Sequence, residues 1–189
     1  MEDYLSLDGP FHVYYMTISG HMPYNFNRVA AKYRELVEPL PYSETTKAYL
    51  AAAIEADRML QTLLDGLERA GELDNTLIVA CADHIPYFNV DTLEELSGER
   101  FSSEDMERLD ERNVNFDVYR SALILWAAGM EEPVVVDKPC GQVDILPTVS
   151  NLLGLEYDSR MLAGSDLLSD APGLVIFSSR SWLTDRGFY

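Results

Sequence analysis

The most constraining feature of this chain is a junction. A helical stretch of 26 residues, Thr45 to Ala70, runs through a short turn into an uncharged apolar run, Thr76 to Ala82 (TLIVACA), which stops at Asp83-His84. Leu50, Ile54, Leu60, Leu64 and Leu67 recur at steps of three, four or six, which predicts one long amphipathic helix. Ser43 suits its N-cap and Gly71 its C′ stop. Asp74-Asn75 predicts a turn, and TLIVACA a short buried strand. An acidic residue and an imidazole are thereby expected just beyond the carboxyl end of a strand.

Other segments repeat the alternation. Phe11 to Ile18 (FHVYYMTI) predicts a buried strand leading into the loop Ser19-Gly20-His21-Met22-Pro23. Ser121 to Ala128 predicts a third strand, Pro133 to Val136 an extended edge piece, and Leu174 to Phe177 a last short strand with no closing element after it. Val143 to Leu153 predicts a helix that tolerates Pro147 in its first turn and ends at Gly154. Asp91 to Arg112 predicts two short charged helices in an exposed insertion, the first opened by an Asp91-x-x-Glu94 capping box and the second capped by Ser102 or Ser103. Apolar strands between helices predict an α/β fold with a mainly parallel sheet flanked by helices. In such sheets ligands collect outside the carboxyl ends of the strands. With no linker or internal repeat in view, residues 1–189 read as one domain.

Charge narrows the function. Lys and Arg number 14 against 32 Asp and Glu, a net charge of −18, so a nucleic acid backbone would be repelled and a divalent cation attracted. No run approaches the roughly 20 apolar residues of a membrane helix, and MEDYLSLDGP lacks the layout of a signal peptide. Cys81 and Cys140 stand apart from any Cys/His cluster, and Cys81, inside an apolar run, reads as a buried thiol. G-x-S-x-G, Walker and G-x-G-x-x-G patterns do not occur. Imidazole chemistry is limited to His12, His21 and His84, and His12 falls mid-strand where a packed or edge histidine is expected. Asp83-His84 could offer a carboxylate oxygen and an imidazole nitrogen to a cation. Equally, Asp83 could cap the following turn and His84 lie at the surface.

Four phrases decide between these. PFHVYYMTISGHMPYNF, LERAGELDNTLIVACADH, YRSALILWAAG and GQVDILPTVSNLLGL occur in the order and spacing of lipoteichoic acid synthase-like phosphoglycerol transferases, a group in the sulfatase branch of the alkaline phosphatase superfamily. The chain resembles that family over nearly its whole length, as the carboxyl-terminal part of a catalytic domain that is incomplete at its amino-terminal side. The resemblance implies an alkaline phosphatase-like fold, with Asp83 and His84 as metal ligands and His21 as a substrate-binding residue that donates to a phosphoryl oxygen or assists proton transfer. It implies a divalent metal, Mn²⁺ before Mg²⁺ or Zn²⁺, held weakly by two ligands alone. It also implies a phosphoglycerol lipid headgroup as substrate and an intact protein anchored in the membrane with its catalytic domain outside the cell.

By the same resemblance the Thr nucleophile and a Glu ligand belong upstream, so no catalytic nucleophile is expected on these residues and the chain alone should be inactive. Asp57, in a Tyr49-then-Asp57 pattern, and Asp144, at a helix start, are expected to be structural. Departures are Ala82 where the pattern usually has Gly, and Ile85-Pro86-Tyr87-Phe88 after the Asp-His pair where many sulfatase relatives have Gly. An uncovered apolar sheet edge would favour a homodimer. A non-catalytic binding domain of the same fold, and a sulfatase or phosphatase relative, are the alternative readings.

Overall fold

The computed structural model describes residues 1–101, 119–178 and 180–189. Its contacts cluster into two compact units, Met1–Met130 and Glu131–Tyr189.

The first unit is organised on the long helix. After a short helix α1 (Glu2–Leu5), a 3-10 turn (Ala30–Tyr33) and a one-turn helix α2 (Arg34–Val37), helix α3 spans Glu44–Ala70, within one residue of the sequence expectation. Ser43 accepts from the Thr46 amide at its start, and Gly71 ends it in the left-handed region at φ 73°. Ala51 and Ala52 on α3 meet Ala30 and Val37 in the core, and the small side chains let the 30–37 segment lie close against the helix. Phe26, Tyr33, Leu40, Leu50 and Ile54 close over this contact.

Carboxylates pin the helix to its neighbours. Glu55 accepts from Lys32 Nζ at 2.8 Å and from the Tyr33 hydroxyl, and these two bonds, Lys32 first, hold its pKa below the ordinary value. Asp57, expected to do such anchoring, is exposed and takes no hydrogen bond from the described residues. The two differ because residue 55 lies on the face of α3 that meets the 30–33 turn, and two further residues rotate the side chain away from it. Helix α4 (Val90–Ser97) is capped by Asn89, whose side chain accepts from Thr92 N at 2.8 Å, so the cap lies two residues before the expected Asp91. Nor is this helix a free insertion. The hydroxyls of Thr46 and fully buried Thr92 lie 3.1 Å apart, and Glu95 accepts from Ser43 N and Oγ at 2.9–3.0 Å. The second expected helix, with Ser102 and Ser103, lies outside the described residues.

Strands β1 (Leu77–Cys81) and β2 (Leu123–Ala127) form at the expected places, but they pair antiparallel, Leu77 opposite Ala127 and Cys81 opposite Leu123. The expected mainly parallel sheet is therefore corrected: every strand pair among the described residues is antiparallel, while the α/β class stands. The apolar runs suggested strands covered on both faces, as parallel sheets require. Val79, Ala80, Cys81 and Ile124 are instead exposed, and the expected burial of Cys81 fails with them. Phe11 to Ile18 forms no strand, and Tyr14, Met16 and Ile18 are exposed. β-propensity needs a ladder to act on, and the described residues supply no partner for this segment.

The second unit turns on Asp144. A 3-10 turn (Gln142–Asp144) leads into helix α5 (Ile145–Leu152), with Gly154 beyond its end as expected. The buried Asp144 carboxylate accepts from Gly141 N at 2.8 Å and from Ser165 N at 2.7 Å, which bears out a structural role. Thr148, fully buried, donates to Asp144 O at 2.6 Å and accepts from Leu167 N at 2.9 Å. Gly164 passes so close that a Cβ there would lie 2.1 Å from Val143 O. The chain closes in a meander of β3 (Leu174–Ile176), β4 (Trp182–Thr184) and β5 (Gly187–Phe188), with Tyr189 bonded in both directions to Trp182. This is a closing element the sequence reading lacked. Its turn at Asp185-Arg186 is stabilised by Thr184 Oγ1, which accepts from Arg186 N and donates to Gly187 O.

Two outcomes test these networks. Thr148→Val leaves the Leu167 N–H unpaired in the interior and should cost about 1–3 kcal/mol in urea unfolding; an unchanged midpoint would refute the role given to Thr148. The pKa of Glu95 is lowered by hydrogen bonds, the Thr46 hydroxyl first and then Ser43, so its contribution is present above the unfolded carboxylate pKa of about 4.3 and lost as pH falls through the lower folded value. Glu95→Gln should flatten the fall in melting temperature on acidification, and a parallel fall in both proteins would rule this out.

Candidate active site

The structure brings His21 and His84 together, with ring centroids 6.3 Å apart and planes at 88°. His21 comes from the loop after residues 11–18, and Asp83-His84 from the end of β1. Each imidazole is oriented by its own loop. Nδ1 of His21 lies 2.7 Å from Met22 O, and Nδ1 of His84 lies 2.7 Å from Ile85 O. A carbonyl oxygen can only accept, so each Nδ1 carries a proton, and in the neutral form the lone pair of each ring is on Nε2. That is the tautomer a metal-ligating or proton-accepting histidine needs.

Asp83 combines the two roles open to it in the sequence. Its Oδ1 accepts from His84 N at 2.9 Å, which caps the local turn, and the same oxygen lies 3.7 Å from His84 Nε2. When the ring is neutral, Nε2 and this carboxylate oxygen are two acceptors that one proton or metal cation can bridge. One ion bonding both at about 2.1 Å can span 3.7 Å, so the donor set fits a divalent metal. It is a partial set: among the described residues no group of three His, Cys, Asp or Glu could hold a metal. Both side chains are open to solvent, His84 at 42% and Asp83 at 74%. His12 is exposed on a segment that forms no strand, so it is neither a packed nor an edge-strand histidine.

A cluster of rings sits beside the two histidines. Tyr24, Tyr49 and Phe88 contact one another at centroid distances of 5.3, 5.6 and 4.7 Å, and Tyr87 lies 5.1 Å from His84. The two edge-to-face pairs, both on Tyr49, contribute about 0.5–1.5 kcal/mol each beyond buried area. Burial raises the pKa of Tyr49 and Tyr24, opposed at Tyr24 by the facing Tyr87 backbone amide. Sequence reasoning missed this cluster, because residues 24, 49 and 88 share no periodicity; the visible signal was only that each histidine loop carries aromatic residues three or four positions after its imidazole.

Fold and site together define an α/β domain with a carboxylate and an imidazole at a strand end. The chain belongs to the sulfatase family, whose model matches residues 1–155. It is 26% identical over 185 residues to a lipoteichoic acid synthase of Staphylococcus saprophyticus, covering 96% of this chain and 27% of that protein. It is also 26% identical over 187 residues to the lipoteichoic acid synthase-like YvgJ of Bacillus subtilis, covering 97% and 29%. The crystal structure of the lipoteichoic acid synthase LtaP from Listeria monocytogenes superposes with a TM-score of 0.62 at 24% identity, covering 89% of this chain and 40% of that one, which establishes the alkaline phosphatase-like fold. The chain thus spans less than a third of the length of these two sequence relatives and is a lipoteichoic acid synthase-like sulfatase-family domain.

Proposed function

We propose that these residues form the part of a metal-dependent phosphoglycerol transferase or phosphodiesterase that carries two metal ligands and one substrate-binding histidine. The observation that carries the reading is the pair of acceptors, Asp83 Oδ1 and His84 Nε2, 3.7 Å apart at the end of β1 with the His21 ring alongside. Asp83 and His84 would hold the ion, with Mn²⁺ expected ahead of Mg²⁺ or Zn²⁺. When bound, such an ion neutralises charge on a phosphoryl oxygen and lowers the pKa of an attacking hydroxyl. His21, with Nδ1 committed to Met22 O, would act through Nε2 on the substrate: neutral, it accepts a proton from an alcohol, and protonated, it donates to a phosphoryl oxygen.

The reading takes a phosphoglycerol lipid headgroup as the substrate class, and the similarity to lipoteichoic acid synthases supports it. Under this reading the attacking Thr hydroxyl and the remaining carboxylate ligand come from outside these 189 residues, and the intact protein is anchored in a membrane. Among the described residues no helix is long and apolar enough to cross one. We also propose self-association through the β1–β2 ladder, since those two strands pair only with each other among the described residues and Val79 and Ile124 are exposed on them.

Titration of the chain with Mn²⁺ should show weak binding that broadens the His84 imidazole resonances and disappears in His84→Ala and in Asp83→Ala. Sub-micromolar affinity that survives His84→Ala would overturn the ligand assignment. Size-exclusion chromatography with light scattering should give a dimer, and a monodisperse monomer at all concentrations would reject the edge pairing.

A further inference from the structure

The two imidazoles are each fixed to their own loop, so the distance between them depends on what joins the loops. His21 bonds Met22 O and His84 bonds Ile85 O, contacts within one residue of each ring. Those bonds set tautomer and tilt, but they leave the two loops free to separate. Three residues after His21 stands Tyr24, and four residues after His84 stands Phe88. Both rings pack on Tyr49, Tyr24 at 5.3 Å and 76° and Phe88 at 4.7 Å and 86°, and on each other at 5.6 Å. Tyr49 itself rides on the first half of α3, the part held by the Ser43 cap and the Glu95 and Glu55 contacts.

We propose that Tyr49 is a positioning residue, the post on which Tyr24 and Phe88 brace the His21 and His84 loops so that the two imidazoles stay face to edge at 6.3 Å. This rests on the reading of Asp83, His84 and His21 as one site and adds the element that sets its geometry. Edge-to-face contacts suit that task because their angular preference fixes loop orientation as well as separation, which aliphatic packing would not. Tyr87 completes the brace on the His84 side: its ring packs on the imidazole, and its backbone amide faces the Tyr24 phenol. Catalytic geometry of this kind is sensitive, since a misplacement of about 1 Å can lower a rate about 10²-fold.

With only His12, His21 and His84 in the chain, ring-labelled histidine gives an NMR spectrum simple enough to read directly. The nuclear Overhauser cross-peak between the His21 and His84 rings should be present in the natural chain, retained in Tyr49→Phe, and lost in Tyr49→Ala while the His84–Tyr87 cross-peak persists. Survival of the His21–His84 peak in Tyr49→Ala, or its equal loss in Tyr49→Phe, overturns the proposal. Should Tyr49→Ala not fold, Phe88→Leu, which keeps an apolar side chain in the loop, is judged the same way: loss supports the brace and survival overturns it. A second arm with Mn²⁺ separates this from the underlying reading. Absence of broadening at His84 in the natural chain would sink the metal assignment while leaving the cross-peak to decide the brace.

Discussion

The first unit depends on one helix being fixed at its amino-terminal half. A helix of 27 residues is about 40 Å long, and only its contacts decide which parts of that length are rigid. Here they concentrate before residue 56. Ala51 and Ala52 take the close packing of Ala30 and Val37, Glu55 ties down Lys32 and Tyr33, and Ser43 and Thr46 join the helix start to α4 through Glu95 and Thr92. Tyr49 sits inside this stretch and carries the rings of both histidine loops. The site thereby inherits its order from the best-anchored part of the unit, although the imidazoles themselves lie on exposed loops.

Where the fold was legible, the signal was local. The Ser43 cap, the Gly71 stop and the apolar spacing placed α3 within one residue, because capping and periodicity are properties of contiguous chain. Strand positions 77–81 and 123–127 were legible for the same reason. Strand direction was not. An apolar run states that a strand wants cover, whereas direction and pairing depend on which other strand lies beside it, so LIVAC and LILWA carried no mark of their antiparallel register. The segment at 11–18 shows the limit of propensity: its residues favour a strand, and with no ladder partner among the described residues they do not form one.

The site divides along the same line. Asp83 and His84 were legible as an acid–imidazole pair at a strand end, and His21 as the histidine of a Ser-x-His-x-Pro-Tyr loop. Their tautomers were not, since these depend on which carbonyl each Nδ1 meets, and neither was the brace, which joins residues 24, 49 and 88 from three elements. Anchoring carboxylates show how fine the distinction is. Asp57 and Glu55 are both acidic positions on α3, and only the helical rotation relative to the 30–33 segment makes one of them the anchor.

Charge connects the candidate site to its proposed substrate. A chain with a net charge of −18 repels a phosphoryl group at long range, and at physiological salt the repulsion of each carboxylate still reaches about 8 Å. Asp83 lies within the site, and both imidazoles commit Nδ1 to a backbone carbonyl, so in the neutral form each ring offers only an acceptor, at Nε2. By itself the arrangement is unfavourable to an anion. A cation held between Asp83 and His84 inverts the local field, since a bound divalent ion is commonly the largest charge in such a site. A net negative charge also raises the local concentration of cations, so under the proposed reading the ion is what reconciles an acidic chain with an anionic substrate.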